Sequence, residues 1–182
     1  MIRTETLLLR PFAPGDLADL HAYCAQEGVG EAAGWPHHTT LAQSREALEK
    51  FISMPGQRAV VFLPENRVIG HLNAAPDSED GFPDVRELGC ALNRNYQRRG
   101  VMSTLIPLVL DELFSAGMRE VWACCFRENE GSRRLIGRCG FAFVQCGTFD
   151  CAAMGRVYDT YEYRWTREAW RTAHKGDRHE LS

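Results

Sequence analysis

The chain has 182 residues, of which 45% are hydrophobic and 25% charged, the balance of one globular domain burying roughly two-thirds of the surface its unfolded form exposes. A net charge of −3 and a pI near 6.1 give no general electrostatic reason to bind nucleic acid or an anionic membrane. No apolar run reaches membrane-spanning length and the N-terminus lacks a signal-peptide core, so the expected location is cytoplasmic.

Residues 6–10 form a short apolar run stopped by Pro11 and read as a first strand. Pro14-Gly15-Asp16 opens a helix with Leu17, Leu20 and Tyr23 on one face. A turn-rich loop over 28–40 carries Trp35-Pro36-His37-His38. Thr40 then caps a second helix whose apolar positions are Leu41, Leu48, Phe51 and Ile52. Residues 58–63 and 67–75 are β-branched runs joined by Pro64-Glu65-Asn66, which predicts a hairpin. An acidic loop containing Asp77, Glu79 and Asp80 leads into a strand over 87–92, and a helix from Arg99 ends at Gly117. Pro107 lies inside that helix and is expected to bend it. A strand over 121–126, a short helix over 129–139 stopped by Gly140, and strands over 141–148 and 157–166 complete the pattern. This order predicts one mixed α/β (α+β) domain over 1–170 with about seven strands, followed by a polar tail over 171–182.

The seven cysteines are Cys24, Cys90, Cys124, Cys125, Cys139, Cys146 and Cys151, and none has the two-residue spacing of a zinc knuckle or redox pair. Several lie in apolar runs, where cysteine behaves as a small buried hydrophobe, and strand alternation sends Cys124 and Cys125 to opposite faces. His37 and His38 lack a companion cluster, so no metal site is expected. His71, on an apolar strand, reads as a satisfied core histidine.

The stretch Gln97-Arg98-Arg99-Gly100-Val101-Met102 stands between an apolar strand and a helix with a broad apolar face. A glycine at such a junction lets the backbone approach a ligand closely, and the first amides of the helix have no internal partner. With the helix dipole and the Arg98 and Arg99 side chains, they make a site for a pyrophosphate. No Gly-x-Gly-x-x-Gly is present, which argues against a dinucleotide-binding fold.

Together with Asn129-Glu130-Gly131-Ser132 followed by Gly140-Phe141, and the opening Thr4-Glu5-Thr6-Leu7-Leu8-Leu9-Arg10-Pro11, this segment resembles the GCN5-related N-acetyltransferase (GNAT) superfamily, in particular its RimJ/RimL-like branch. The resemblance spans residues 4–166. It implies a mostly antiparallel central sheet flanked by helices and splayed between its fourth and fifth strands, where acetyl-CoA lies. By position, the amides of Gln97, Arg98, Arg99, Gly100, Val101 and Met102 would hold the pyrophosphate. The backbone of Ala91 and Leu92 would pair with the pantetheine arm, with Asn129 near the same arm and Ser132 facing the thioester sulfur.

The implied reaction is direct attack of an amine on the acetyl thioester, which needs a neutral amine, a donor for the oxyanion and a partner for the departing thiolate. Alternation places Glu87, Gly89 and Ala91 on one face, so Glu87 is the candidate base or amine-binding group. Many GNAT enzymes carry a tyrosine seven residues after the asparagine, where this chain has Ile136. Ser132 is then the thiolate partner, with Tyr158 a second candidate. Trp35 and His37 are placed at the amine pocket. The acceptor is a protein N-terminus or a small amine, and the acidic residues at 77–80 would favour a cationic one if they border the pocket. Either a monomer or a homodimer fits. The competing reading is a non-catalytic CoA-binding regulatory or interaction module with the same fold.

Overall fold

The computed structural model describes residues 1–76 and 81–174. Eight strands form one sheet: β1 (Ile2–Arg3), β2 (Leu7–Pro11), β3 (Gln57–Phe62), β4 (Arg67–Pro76), β5 (Val85–Leu92), β6 (Glu120–Phe126), β7 (Ala142–Cys151) and β8 (Arg156–Thr166). Their lateral order is β1-β2-β3-β4-β5-β6-β8-β7, and every pairing is antiparallel except β5 with β6. The sheet therefore has one strand more than expected: Ile2 and Arg3 pair with Leu9 and Leu8, a ladder too short to leave a periodic signal. The extra strand makes the expected fourth and fifth strands β5 and β6.

The helices are α1 (Leu17–Cys24), α2 (Leu41–Ser53), α3 (Val101–Ser115), α4 (Glu130–Arg138) and α5 (Arg167–Ala173). Thr40 and Gln43 form the capping box that starts α2: the Gln43 amide donates to Thr40 Oγ1 and the Thr40 amide to Gln43 Oε1. α3 continues through Pro107.

Period-two alternation divides the strands' side chains between two layers. Leu9, Val60, Leu72, Leu88, Leu92, Val121 and Ala123 pack against α3 and α4. Ala59, Val61, Val68 and Ala91 pack on the other face against Leu20, Tyr23 and Cys24 of α1 and Leu48 of α2. The register shift between Val60 and Val61, opposite β4, lets both Ile69 and Leu72 point towards α3 although they are three residues apart. α5 gives regular structure to the start of the segment read as a polar tail. Its Trp170 is buried against Phe114 of α3 and stacks edge-on against Trp165, contacts that only the fold brings together. The acidic Asp77-Ser78-Glu79-Asp80 stretch lies outside the described residues.

Candidate active site

The β5–β6 ladder runs from Val85↔Glu120 to Leu88↔Ala123, whereas β5 continues to Leu92 and β6 to Phe126. A cavity of about 210 Å³ lies where that pairing ends. Leu72, Leu88, Ile106, Leu135, Ile136 and Phe141 line it on the α3 side, with Cys90 and Cys125. Glu87, Gly89, Cys124, Phe126, Phe149 and Thr160 line it together with Ala32 and Ala33, two small residues of the loop between α1 and α2. Residues from both faces of the sheet thus share one cavity, and Ser132, at the start of α4, opens on it.

Asn129 ends the β6–α4 turn and holds the site in two directions. Its Oδ1 accepts the Ser132 amide at 3.0 Å, capping α4, while its Nδ2 donates to the Ala32 carbonyl at 3.1 Å. One carboxamide thereby fixes both Ser132 and the Ala32–Ala33 wall. Among the described residues, Ser132 Oγ has no hydrogen-bond partner, which leaves the hydroxyl available to a ligand.

At the head of α3, Arg98 has φ +60° and Gly100 φ +80°. Left-handed residues in such a turn direct successive amides to one side, forming a concave nest for an anion. None of the amides of Arg98, Arg99, Gly100, Val101, Met102 and Ser103 meets an acceptor among the described residues; the first bond of the helix runs from Thr104 to Gly100. A Cβ added at Gly100 would meet only Ser103 Oγ, at 3.9 Å, so the space before the nest is open. Gln97 secures the loop from the side, its Nε2 donating to the Leu92 carbonyl at 3.0 Å.

That bond also bears on the β5 backbone. Asn93 donates its amide to Ile69 on β4, and strand residues present their polar groups alternately to their two neighbours. Ala91 and Gly89 accordingly face β4. Cys90 and Leu92 face the β6 side, with the Leu92 carbonyl taken by Gln97.

The cavity's titratable groups differ in environment. Burial, and secondarily the nearby Glu87 charge, pushes the Cys124 thiol up to about 12, and burial raises Cys90 to about 11. Both remain thiols at neutral pH. Gly89 lies under Asn73, whose Oδ1 is 2.5 Å from where a Cβ would stand and is buried without a partner.

The remaining sequence-predicted residues lie elsewhere. Tyr158 is stacked on Phe126 with ring centroids 4.1 Å apart and does not line the cavity. Trp35 packs beside His38, and the His37 ring pairs with Glu31 at 2.7 Å. Their loop meets the cavity through Ala32 and Ala33, whose methyl side chains give no chemical signal in sequence. His71 Nδ1 and the Tyr23 hydroxyl share a hydrogen bond at 3.0 Å, and burial lowers the ring to about 4, so it is the neutral core histidine expected. Among the described residues, no group of three or more His, Cys, Asp or Glu is arranged to hold a metal ion, and no helix is long and apolar enough to cross a membrane.

A family model described as an acetyltransferase (GNAT) domain matches residues 6–142. An acetyltransferase of the GNAT family from Bacillus anthracis superposes with a TM-score of 0.80 at 23% identity, covering 92% of this chain and 98% of that one. The ribosomal-protein-S5-alanine acetyltransferase of Vibrio fischeri does so at 0.75 and 18%, covering 93% and 97%. A spermidine N-acetyltransferase from Vibrio cholerae, in complex with CoA and spermine, does so at 0.73 and 19%, covering 92% and 99%. At these identities the likeness is one of fold. No curated protein matches the sequence.

Proposed function

The chain belongs to the GNAT family of N-acetyltransferases, and on that premise we propose that it moves an acetyl group from acetyl-CoA to a primary amine by direct attack in a ternary complex. The observation that carries this reading is the single cavity shared by Ser132 and Glu87, close to a nest of unpaired amides at the head of α3.

In this reading the amides from Arg98 to Met102 hold the pyrophosphate, with Arg98 and Arg99 adding positive charge. The pantetheine arm lies against the β6-facing edge of β5, where the main chain of Cys90, rather than Ala91, is turned to receive it. The amine enters on the side of Glu87, Ala32 and Ala33. Its nitrogen forms a bond to the acetyl carbon and loses a proton towards Glu87, while the carbon–sulfur bond breaks. Ser132 Oγ donates a hydrogen bond to the departing sulfur, a role Ile136, at the usual tyrosine position, does not offer. Support for the donor comes from relatives of this fold solved with acetyl-CoA and AMP or with CoA. The acceptor class is a protein N-terminus or a small amine.

The test is thermal unfolding with CoA, acetyl-CoA and NADH, followed by thiol release from acetyl-CoA with a panel of peptide N-termini and polyamines. Saturation at a hundred times Kd adds about 2.7 kcal/mol, a rise of several degrees for CoA and acetyl-CoA and none for NADH. With an amine that turns over, Glu87→Gln is expected to lower kcat, most strongly at low pH; an unchanged rate at every pH would remove Glu87 from the reaction.

A further inference from the structure

We propose that the donor site accepts acyl groups longer than acetyl, as straight chains of up to roughly six carbons, in the apolar part of the cavity beneath α3. This rests on the CoA-binding reading above and assigns a substrate class to the same site. Acetyl adds a single methyl beyond the reacting carbonyl, whereas the cavity, about 210 Å³ with the amine side and the Cys90 edge included, continues on its α3 side to Leu72 and Ile106. Protein interiors pack densely, and voids much larger than a water molecule are few. Dry apolar cavities of about 150 Å³ are known to take a six-carbon ring.

The nature of the wall selects what fills it. On the α3 side it consists of Leu72, Leu88, Ile106, Leu135, Ile136 and Phe141, with no charged or amide-bearing side chain. Leu72 is wholly buried and Ile106 nearly so, and they form the deep end. Cys90 and Cys125 remain neutral, since burial raises both thiols, and act there as small apolar groups. The pantetheine arm carries amides, which are costly to bury without partners; it takes the main-chain edge at Cys90, and the side chains of this wall offer those amides nothing. Methylene groups lose nothing against it. The end of the β5–β6 ladder at Leu88↔Ala123 puts this deep wall and Ser132 on one continuous space, so a chain attached to the thioester carbonyl can turn into it.

Isothermal titration of the wild-type protein with CoA, acetyl-CoA, butyryl-CoA and hexanoyl-CoA tests the assignment without needing the acceptor. Each buried methylene is expected to tighten binding about fourfold, so butyryl-CoA binds roughly fifteenfold tighter than acetyl-CoA, and hexanoyl-CoA at least as tightly as butyryl-CoA. Ile106→Phe fills the deep end and is expected to abolish the ratio of butyryl to acetyl affinity. Leu135→Phe, at a half-buried position, reports the same ratio if the first variant does not fold. If CoA and acetyl-CoA bind but butyryl-CoA binds no tighter, or if a folded variant keeps the full ratio, the acyl assignment is overturned and the nucleotide site stands. Absence of binding for all four overturns the donor-site reading and the proposal together.

Discussion

The two loops that flank the cavity are built on opposite principles. From Arg98 to Ser103 the loop at the head of α3, proposed to hold the donor, leaves its amides without acceptors among the described residues and open to a ligand. In the loop over 28–40, polar groups are tied inward. The Glu31 carboxylate accepts from the Gly28 amide at 2.6 Å, the His37 amide at 3.1 Å and the His37 ring at 2.7 Å. His38 bonds through its amide to the Cys24 carbonyl and through its ring to the buried Ser44 hydroxyl. The Gly34 and Ala32 carbonyls are taken by Cys151 and Asn129. On the proposed donor side, recognition would therefore be a property of backbone geometry. On the other side this loop offers shape alone, through Ala32 and Ala33, and its side chains serve to hold that shape.

The contrast is broken most directly at Gly100. Its φ of +80° is a conformation a β-branched residue rarely adopts, and a side chain there would intrude on the nest. Gly100→Val is expected to weaken CoA binding by at least roughly a hundredfold, equivalent to losing two hydrogen bonds to charged phosphate at about 1.5–3 kcal/mol each. Calorimetry that returned near-normal CoA affinity would place the nucleotide elsewhere. Ser132→Ala sharpens the same comparison from the reaction side. Turnover is expected to fall roughly tenfold to a thousandfold, the range for a lost proton or hydrogen-bond donor, with little change in CoA affinity. Equal turnover would show that the thiolate leaves without this hydroxyl.

The same contrast explains what the sequence revealed. The geometry of the loop before α3 is legible because it takes a glycine, a helix start and a preceding strand, all local features. The succession of strands and helices along the chain, the Thr40 cap and the core histidine His71 are legible for similar reasons. Tyr158 is not, because its stacking on Phe126 joins β8 to β6. Trp35 and His37 are the distinctive side chains of their loop, yet the loop presents two alanines to the cavity. α5 leaves little local signal because Trp170 is buried against Phe114 of α3, distant in sequence, as well as against Trp165 of β8. The backbone direction that turns Ala91 to β4 follows from register, which alternation alone does not supply.

Asn129 joins the two loops' styles, since it caps α4 and anchors the loop over 28–40. Asn129→Ala is expected to cost about 1 kcal/mol of stability through the lost cap and to raise the KM for the amine a few-fold as Ala32 is released. Asn129→Asp retains the capping oxygen but cannot donate to Ala32. It is expected to recover the stability and not the KM, as denaturation curves and amine titrations would show. Recovery of both would mean that Ala32 is held without this bond.

The smallest expected effect lies at Glu31. Burial opposes its ionisation, but hydrogen bonds from the His37 ring and from the amides of His37 and Gly28 outweigh this and hold the carboxyl at about 2. In the unfolded chain a glutamate titrates near its ordinary value of about 4.3. Between these values the unfolded state binds the proton more readily, so the carboxylate's contribution is complete above about pH 4.3 and is lost as pH falls towards about 2. Glu31→Gln is expected to lower stability by roughly 1 kcal/mol at neutral pH, since a carboxamide cannot accept from all three donors equally well. Because glutamine does not titrate, the gap between the two proteins should close as pH falls below about 4. A gap that persisted at pH 3 and below would mean that Glu31 is not held as a carboxylate by these three donors, and the loop over 28–40 would then owe its shape to Asn129, Cys151 and Ser44.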